Sequence, residues 1–393
     1  MNASSFFVKS RRALGTVSSL YRTGSIRIGT RGPAVAALNY PHNAKYFGTA
    51  TNLLLPKEPV NYKHAVSYGA LAASALFAVY GLTGGQKNFD NLKRGVGYDH
   101  YPSNNPCEDR IIVENPVPNI LLTGVADGHG GTFVSDIVKM EFGKLVKKFF
   151  SNIDYIDKYS LESYMTQRVI QLYQALDDVV YDLMMSLWES DSSILTTGAC
   201  LVSTIIYHDF CLVANAGDCR AVLGRLSPRG NKVEAVALTH DHNIREPAEF
   251  QKLKKAHPEE RNLVTFINDE PRYVKGILQP TRCIGDFVLK VDLALLVHQR
   301  KEFIEAIPQL DRFARDFHPP YITATPEVTF FEIAQHDQFI VLASDGVWDE
   351  LDNQAVVDIV AEVLRRGNSA EAAANTVIAA CLKHAAGGGD GEA

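Results

Sequence analysis

The chain is 393 residues long, 46% apolar and 21% charged, with a formal net charge of -6. That length can bury a large core and that composition is ordinary for a globular protein, which excludes a disordered or fibrous chain. The acidic balance argues against a nucleic-acid partner, because a polyphosphate backbone usually calls for a strongly basic face.

In chain order, the first segment departs from this average. Residues 1–57 carry Lys and Arg but no Asp or Glu, and the first acid is Glu58. The stretch "SSFFVKSRRALGTVSSLYRTGSIRIGTR" is basic, hydroxyl-rich and acid-free, the composition of a mitochondrial transit peptide. Residues 1–60 are therefore read as a mitochondrial targeting segment, with a basic tail as the alternative. Residues 65–86, "AVSYGALAASALFAVYGLTGGQ", contain no charged residue. At about 1.5 Å per residue such a run spans the ~30 Å of a bilayer core, so a single transmembrane helix is expected there, in the inner membrane. A buried alanine-rich helix is the alternative. "KNFDNLKRGVGYDHYPSNNP" then reads as a polar linker.

From Asn104 onward, short β-branched runs alternate with helical patterns. "NILLTGVA", "CLVSTIIY", "CLVANAG", "RAVLGR", "KVEAVALT" and "QFIVLAS" are strand-length and bounded by Gly, Asp or Asn. Helices are expected after Gly131, through "LESYMTQRVIQLYQALDDVVYDLMMSLWES", in "EPAEFQKLKKAH", and in "NQAVVDIVAEVLRRG" and "SAEAAANTVIAACLKHA". Hairpins outnumber crossovers, which predicts antiparallel sheets flanked by helices, an α+β layered fold. The six cysteines form no CxxC pair, which argues against structural zinc and a disulfide framework. A zinc hydrolase would also need clustered His or Cys ligands, and the spacing supplies none.

Three aspartates close apolar runs beside glycines: Asp127 in "GVADGHGG", Asp286 in "RCIGDF" and Asp345 in "ASDGVWDE". Glu108 and Asp109 are adjacent in "NPCED". Buried carboxylates need a compensating positive charge, and a hard divalent cation, Mg²⁺ or Mn²⁺, suits oxygen-only ligands. Gly128 would let its own carbonyl approach such an ion.

The series "NPCED", "GVADGHGG", "TTGACLVSTIIY", "VANAGDCRAVL", "LTHDHN", "QPTRCIGDF", "TATPEV" and "FIVLASDGVWDELDN" resembles the type 2C metal-dependent protein serine/threonine phosphatases, over roughly residues 104–390. "LTHDHNIREPAEFQKLKKAHPEE" and "YVKGILQPTRCIGDFVLK" look closest to the pyruvate dehydrogenase phosphatase branch, including its membrane-anchored members. The resemblance implies a four-layer α/β/β/α sandwich with two central antiparallel sheets and a dimetal cleft at one edge, formed by residues 95–393. It further implies that Asp127 bridges two ions, that the Gly128 carbonyl binds one, and that Asp286 and Asp345 bind the other. Glu108 and Asp109 would hold metal-bound waters, and His129 would protonate the departing serine or threonine oxygen. A hydroxide bridging the metals would attack phosphorus. His240 and His242 are read as structural.

Two departures accompany the resemblance. An arginine that grips phosphate in many relatives is here Asn104. The chain also stops before the family's last strand and its further metal-site aspartate, so an exposed sheet edge and a weakened metal site are expected. The implied partner is a phosphoprotein, with the pyruvate dehydrogenase complex as one candidate. A membrane-anchored pseudophosphatase that binds phosphoproteins without turnover is the second reading.

Overall fold

The computed structural model describes residues 73–78, 95–102, 105–188, 190–292 and 317–387. The targeting segment 1–60, Asn104 and the chain end after 387 lie outside the described residues.

The apolar run "GACLVSTIIY" becomes strand β5 (Gly198–Tyr207), and all ten of its residues are buried. A strand buried on both faces must be covered twice, and the fold does so with a second sheet on one side and helices on the other. The first antiparallel sheet runs β12 (Glu327–Glu332), β6 (Phe210–Ala216), β5, β4 (Ile120–His129) and β3 (Arg110–Glu114), with the short β11 (Ile284–Gly285) also paired to β5. The second runs β2 (Val96–Tyr101), β1 (Ala73–Ala78), β13 (Asp337–Ala343), β7 (Arg220–Leu226) and β8 (Val233–Ala237). A separate hairpin joins β9 (Val264–Ile267) to β10 (Glu270–Val274).

Helices α1 (Phe133–Phe150) and α2 (Leu161–Leu187) cover the first sheet. Along α2, Leu161, Met165, Val169, Leu172, Leu176, Val180 and Met184 recur every three or four residues and are all buried, the stripe that a helix on a sheet requires. Each such side chain contributes about 1.5–3 kcal/mol when fully buried, an upper bound set by the extended-chain reference. The hydroxyl of Tyr173 ties this helix to the sheet through Ser203 Oγ at 2.9 Å and the Ala214 carbonyl at 3.0 Å. On the far side, α5 (Asn353–Arg365) and α6 (Ala370–Gly387) cover the second sheet. Asp352 caps α5 by accepting from the Ala355 N–H at 2.8 Å. The order helix, sheet, sheet, helix is the expected four-layer sandwich. A ten-residue helix, α3 (Pro247–Ala256), starts on a proline at its first turn.

Three expectations are corrected here. The centre of the 65–86 run is not a membrane helix: Ala73–Ala78 is a strand, its last four residues in register with Ala343–Ile340 of β13 on one side and all six with β2 on the other. Among the described residues no helix is long and apolar enough to cross a membrane. The physical reason is that β13 has two edges of backbone N–H and C=O groups to satisfy, and hydropathy alone does not reveal a waiting partner. The exposed edge expected from a missing last strand is therefore absent at β13, which is paired to β7 and β1. The supposed linker likewise contains the edge strand β2, whose Asp99 and His100 are the kind of polar residues that blunt an edge.

Candidate metal centre

The first sheet delivers the site at the end of β4. Asp127, Gly128 and His129 are its last three residues, and they pair with Cys200, Ala199 and Gly198 of β5. Gly128 is required by space: a Cβ there would come within 2.5 Å of the Glu108 carbonyl oxygen and 2.8 Å of Ser135 Oγ. Ser135 Oγ donates to that same carbonyl at 2.5 Å, which pins the Glu108–Asp109 turn to α1. Arg110 completes the clamp, donating to the Cys107 and Asp109 carbonyls at 2.7 Å each and to Asp136 at 2.6 Å.

Asp345 enters from the second sheet, as the first residue of the short helix α4 (Asp345–Trp348) that follows β13. Trp348 Nε1 donates to the Ala343 carbonyl at 3.0 Å, and Arg220 lies over the Trp348 ring while donating to both Asp241 oxygens, at 2.9 and 2.6 Å. These contacts fix the turn that aims Asp345 inward.

Asp127, Asp345, Asp109 and Asp218 form one acidic cluster. Burial, then Asp109, Asp345 and Asp218, hold the Asp127 carboxyl well above its ordinary value. Burial, then Asp218, Asp349 and Asp109, raise Asp345 from 3.8 to about 8, although a hydrogen bond with Asp127 opposes the rise. Arg245 pairs with the outlying Asp349, at 3.7 Å. Asp218 is the residue missed from sequence. It is buried, accepts from Asn243 Nδ2 at 2.8 Å, and follows β6 in "NAGD", the same strand, glycine and aspartate signature that marked the others.

Asp286 and His129 form the other half of the cleft. His129 Nε2 lies 2.6 Å from Asp286 Oδ2, with the histidine side chain 27% exposed and the aspartate 1%. Burial alone would lower the His129 pKa, but Asp286, with Asp218 and Glu108 beyond, leaves it above its ordinary value. Asp286 has left-handed backbone angles, φ 49° and ψ 44°, a strained choice for a non-glycine residue. Its turn is held by its own N–H on the Thr197 carbonyl at 2.9 Å and by Asp177, which accepts from the Gly285 N–H at 2.8 Å and pairs with Lys290 at 2.7 Å. Gly198 is opposite His129 because any Cβ would collide with both Asp286 Oδ2 and His129 Nε2. Asp286 makes no hydrogen bond to Asp127 or Asp345, so the expected metal ligands sit in two adjoining groups, with Asp218 acting on both. His242 is buried, which pulls it down to about 4, and its Nδ1 accepts from the Gly217 N–H beside Asp218.

This donor set fits divalent cations. The carboxylates repel one another without them, and Asp286 Oδ1 is buried with no hydrogen-bond partner. Asp127, Asp286, Asp345 and the Gly128 carbonyl are the residues that would hold the ions, with Asp218 added by the structure.

The Asp345 shift gives a pH prediction. A carboxyl held above its unfolded value stabilises the cation-free fold below about pH 4, and that contribution is lost as pH rises through about 8. Cations need the carboxylate, so their affinity rises over the same window. Titration of Mn²⁺ at several pH values is expected to show affinity increasing toward pH 8, by up to about tenfold per unit for one linked proton. The Asp345→Asn chain should lose the part of that slope due to Asp345, keeping the part due to Asp127, and an equal slope in both chains would remove the assignment.

The protein phosphatase 2C family matches residues 99–388. Probable protein phosphatase 2C 38 of Arabidopsis thaliana is 35% identical over 276 residues, covering 67% of this chain and 66% of that protein. Probable protein phosphatase 2C 67 of the same plant is 33% identical, covering 72% of each chain. Among solved structures, serine-threonine phosphatase 2C from Toxoplasma gondii matches 82% of this chain and 92% of its own, with a TM-score of 0.53 at 17% identity, a likeness of fold.

Proposed function

The chain belongs to the protein phosphatase 2C family, the metal-dependent protein serine/threonine phosphatases, and from that membership we propose that its acidic cleft hydrolyses phosphoserine and phosphothreonine on a protein substrate. The observation that carries this reading is the convergence of Asp127, Asp218, Asp345 and Asp286 from four separate strand ends, with His129 at the rim. Bound Mg²⁺ or Mn²⁺ would supply a water nucleophile of lowered pKa and positive charge against the phosphoryl oxygens. The chain's own residues orient and protonate. Asp127 and Asp345 present carboxylates from opposing sheets, Glu108 and Asp109 are clamped at the same edge for solvent ligands, and Asp286 favours the protonated form of His129 against the opposing effect of burial. In that form the imidazole, about a quarter exposed, is placed to donate to a serine or threonine oxygen.

A phosphoserine peptide incubated with the full chain and Mn²⁺ is expected to release inorganic phosphate. The pseudophosphatase reading has one observation in its favour: β1, the strand paired beside β13, contains no acidic residue to add to the site. Retention of intact, bound phosphopeptide under those conditions would decide for it.

The substrate we infer from the resemblance of residues 238–260 and 273–290 is a phosphorylated subunit of the pyruvate dehydrogenase complex. Location follows from the basic, acid-free composition of residues 1–57, which supports mitochondrial import. A fusion of residues 1–60 to a soluble reporter is expected to co-localise with mitochondria and to be shortened on import. A full-length cytosolic reporter would end this part of the proposal.

A further inference from the structure

We propose that His129, Cys283 and Asp286 form a site for a soft divalent cation, Zn²⁺ or Cd²⁺, whose binding withdraws two residues of the phosphatase centre. Sequence spacing gives no hint of it, since the histidine is 154 positions from the cysteine. The fold brings β4 against the segment that carries β11. Cys283 Sγ then lies 3.0 Å from Asp286 Oδ2, His129 Nε2 lies 2.6 Å from that same oxygen, and the three ligand atoms are all within 4.8 Å of one another. Among the described residues this is the one group of three such donors.

The donor chemistry differs from that of the neighbouring acidic cluster. Sulfur, imidazole nitrogen and carboxylate oxygen together suit Zn²⁺ or Cd²⁺, whereas Mg²⁺ takes oxygen and leaves thiols alone. Zinc bonds of about 2.0–2.3 Å in a tetrahedron put ligand atoms roughly 3.3–3.8 Å apart, so the trio needs only to open slightly around an ion. Cys283 gives up its thiol proton to solvent on coordination. A second observation points to a ligand: Asp286 Oδ1 is buried and has no hydrogen-bond partner, leaving the carboxylate with capacity to spare after His129 and Cys283. The His129 side chain, 27% exposed, forms the open rim by which an ion enters, while Cys283 is fully buried behind it.

Inhibition follows because the same Asp286 and His129 are assigned to turnover. That consequence rests on the phosphatase reading, whereas the coordination does not. The test uses the full chain after chelator treatment. Cd²⁺ is expected to give a sulfur-to-cadmium charge-transfer absorption saturating at one ion per chain, and Cys283→Ser should abolish it. In parallel, Zn²⁺ should inhibit Mn²⁺-dependent phosphopeptide hydrolysis, and the half-inhibitory concentration should rise about tenfold or more in Cys283→Ser, each chain being referred to its own uninhibited rate. Cys283→Ala repeats both arms without a hydroxyl beside Asp286, with circular dichroism to confirm folding. A charge-transfer band that persists in the variants would place the thiolate elsewhere, at Cys200 or Cys219, and overturn the proposal. Equal Zn²⁺ sensitivity of all three chains would also overturn it. A band lost on substitution in a chain that releases no phosphate with Mn²⁺ alone upholds the site and removes the phosphatase reading instead.

Discussion

Asp127→Asn is expected to lower turnover of a phosphoserine peptide by at least about 10³-fold, which corresponds to roughly 4 kcal/mol of lost transition-state stabilisation. The substitution is nearly isosteric, so the β4 to β5 register at Asp127 and Cys200 should survive it. What it removes is charge. Asp127 sits at the centre of the acidic cluster, hydrogen-bonded to Asp109 and Asp345 and acted on by Asp218. A neutral amide there relieves the repulsion in the cation-free protein, so the variant should unfold at an equal or higher temperature in chelator while losing activity. That opposed pair of outcomes separates a metal ligand from a residue that merely supports the fold. Wild-type turnover in the variant would remove Asp127 from the machinery.

His129→Gln should slow the same peptide by about 10²–10⁴-fold, the range general acid catalysis supplies. A serine alkoxide is a poor leaving group and needs the proton. A nitrophenyl phosphate, whose leaving group is stable as an anion near neutral pH, should lose much less. Asp286 keeps the imidazole protonated to higher pH than an isolated histidine, so the wild-type rate on the peptide should fall on the alkaline side, above the ordinary histidine value. In the variant that alkaline limb should vanish. Equal losses on both substrates would mean that glutamine had disturbed Asp286, leaving His129 a positioning residue.

Much of this fold was legible because its strands and helices declare themselves locally. "GACLVSTIIY" is mostly apolar, with Ser203 and Thr204 as its polar members, and it is the strand buried on both faces. The heptad-like stripe of α2 reads directly as a helix on a sheet. Asp127, Asp286 and Asp345 could be singled out because a charge at the end of an apolar run, beside glycine, has few structural reasons to be there. Asp218 carried the same signature in "NAGD" and was passed over. What sequence could not supply was pairing between distant segments. The alanine-rich run 65–86 satisfies a hydropathy rule for a membrane helix, yet its middle completes a sheet, because the strand it joins lies more than 250 residues away. The same blindness hid the approach of His129 to Asp286 and Cys283, and the buried pair of Asp177 and Lys290 that holds the left-handed turn at Asp286. These are tertiary contacts with no local period.

The dimetal centre is tested most directly by calorimetric titration of Mn²⁺ into the chelator-treated full chain and into its Asp127→Asn counterpart near pH 8. Two ions per wild-type chain are expected, with both sites weakened in the variant because Asp127 is proposed to serve each. Unchanged stoichiometry and affinity in the Asp127→Asn chain, or no Mn²⁺ binding by the wild type, would contradict the assignment of this cleft.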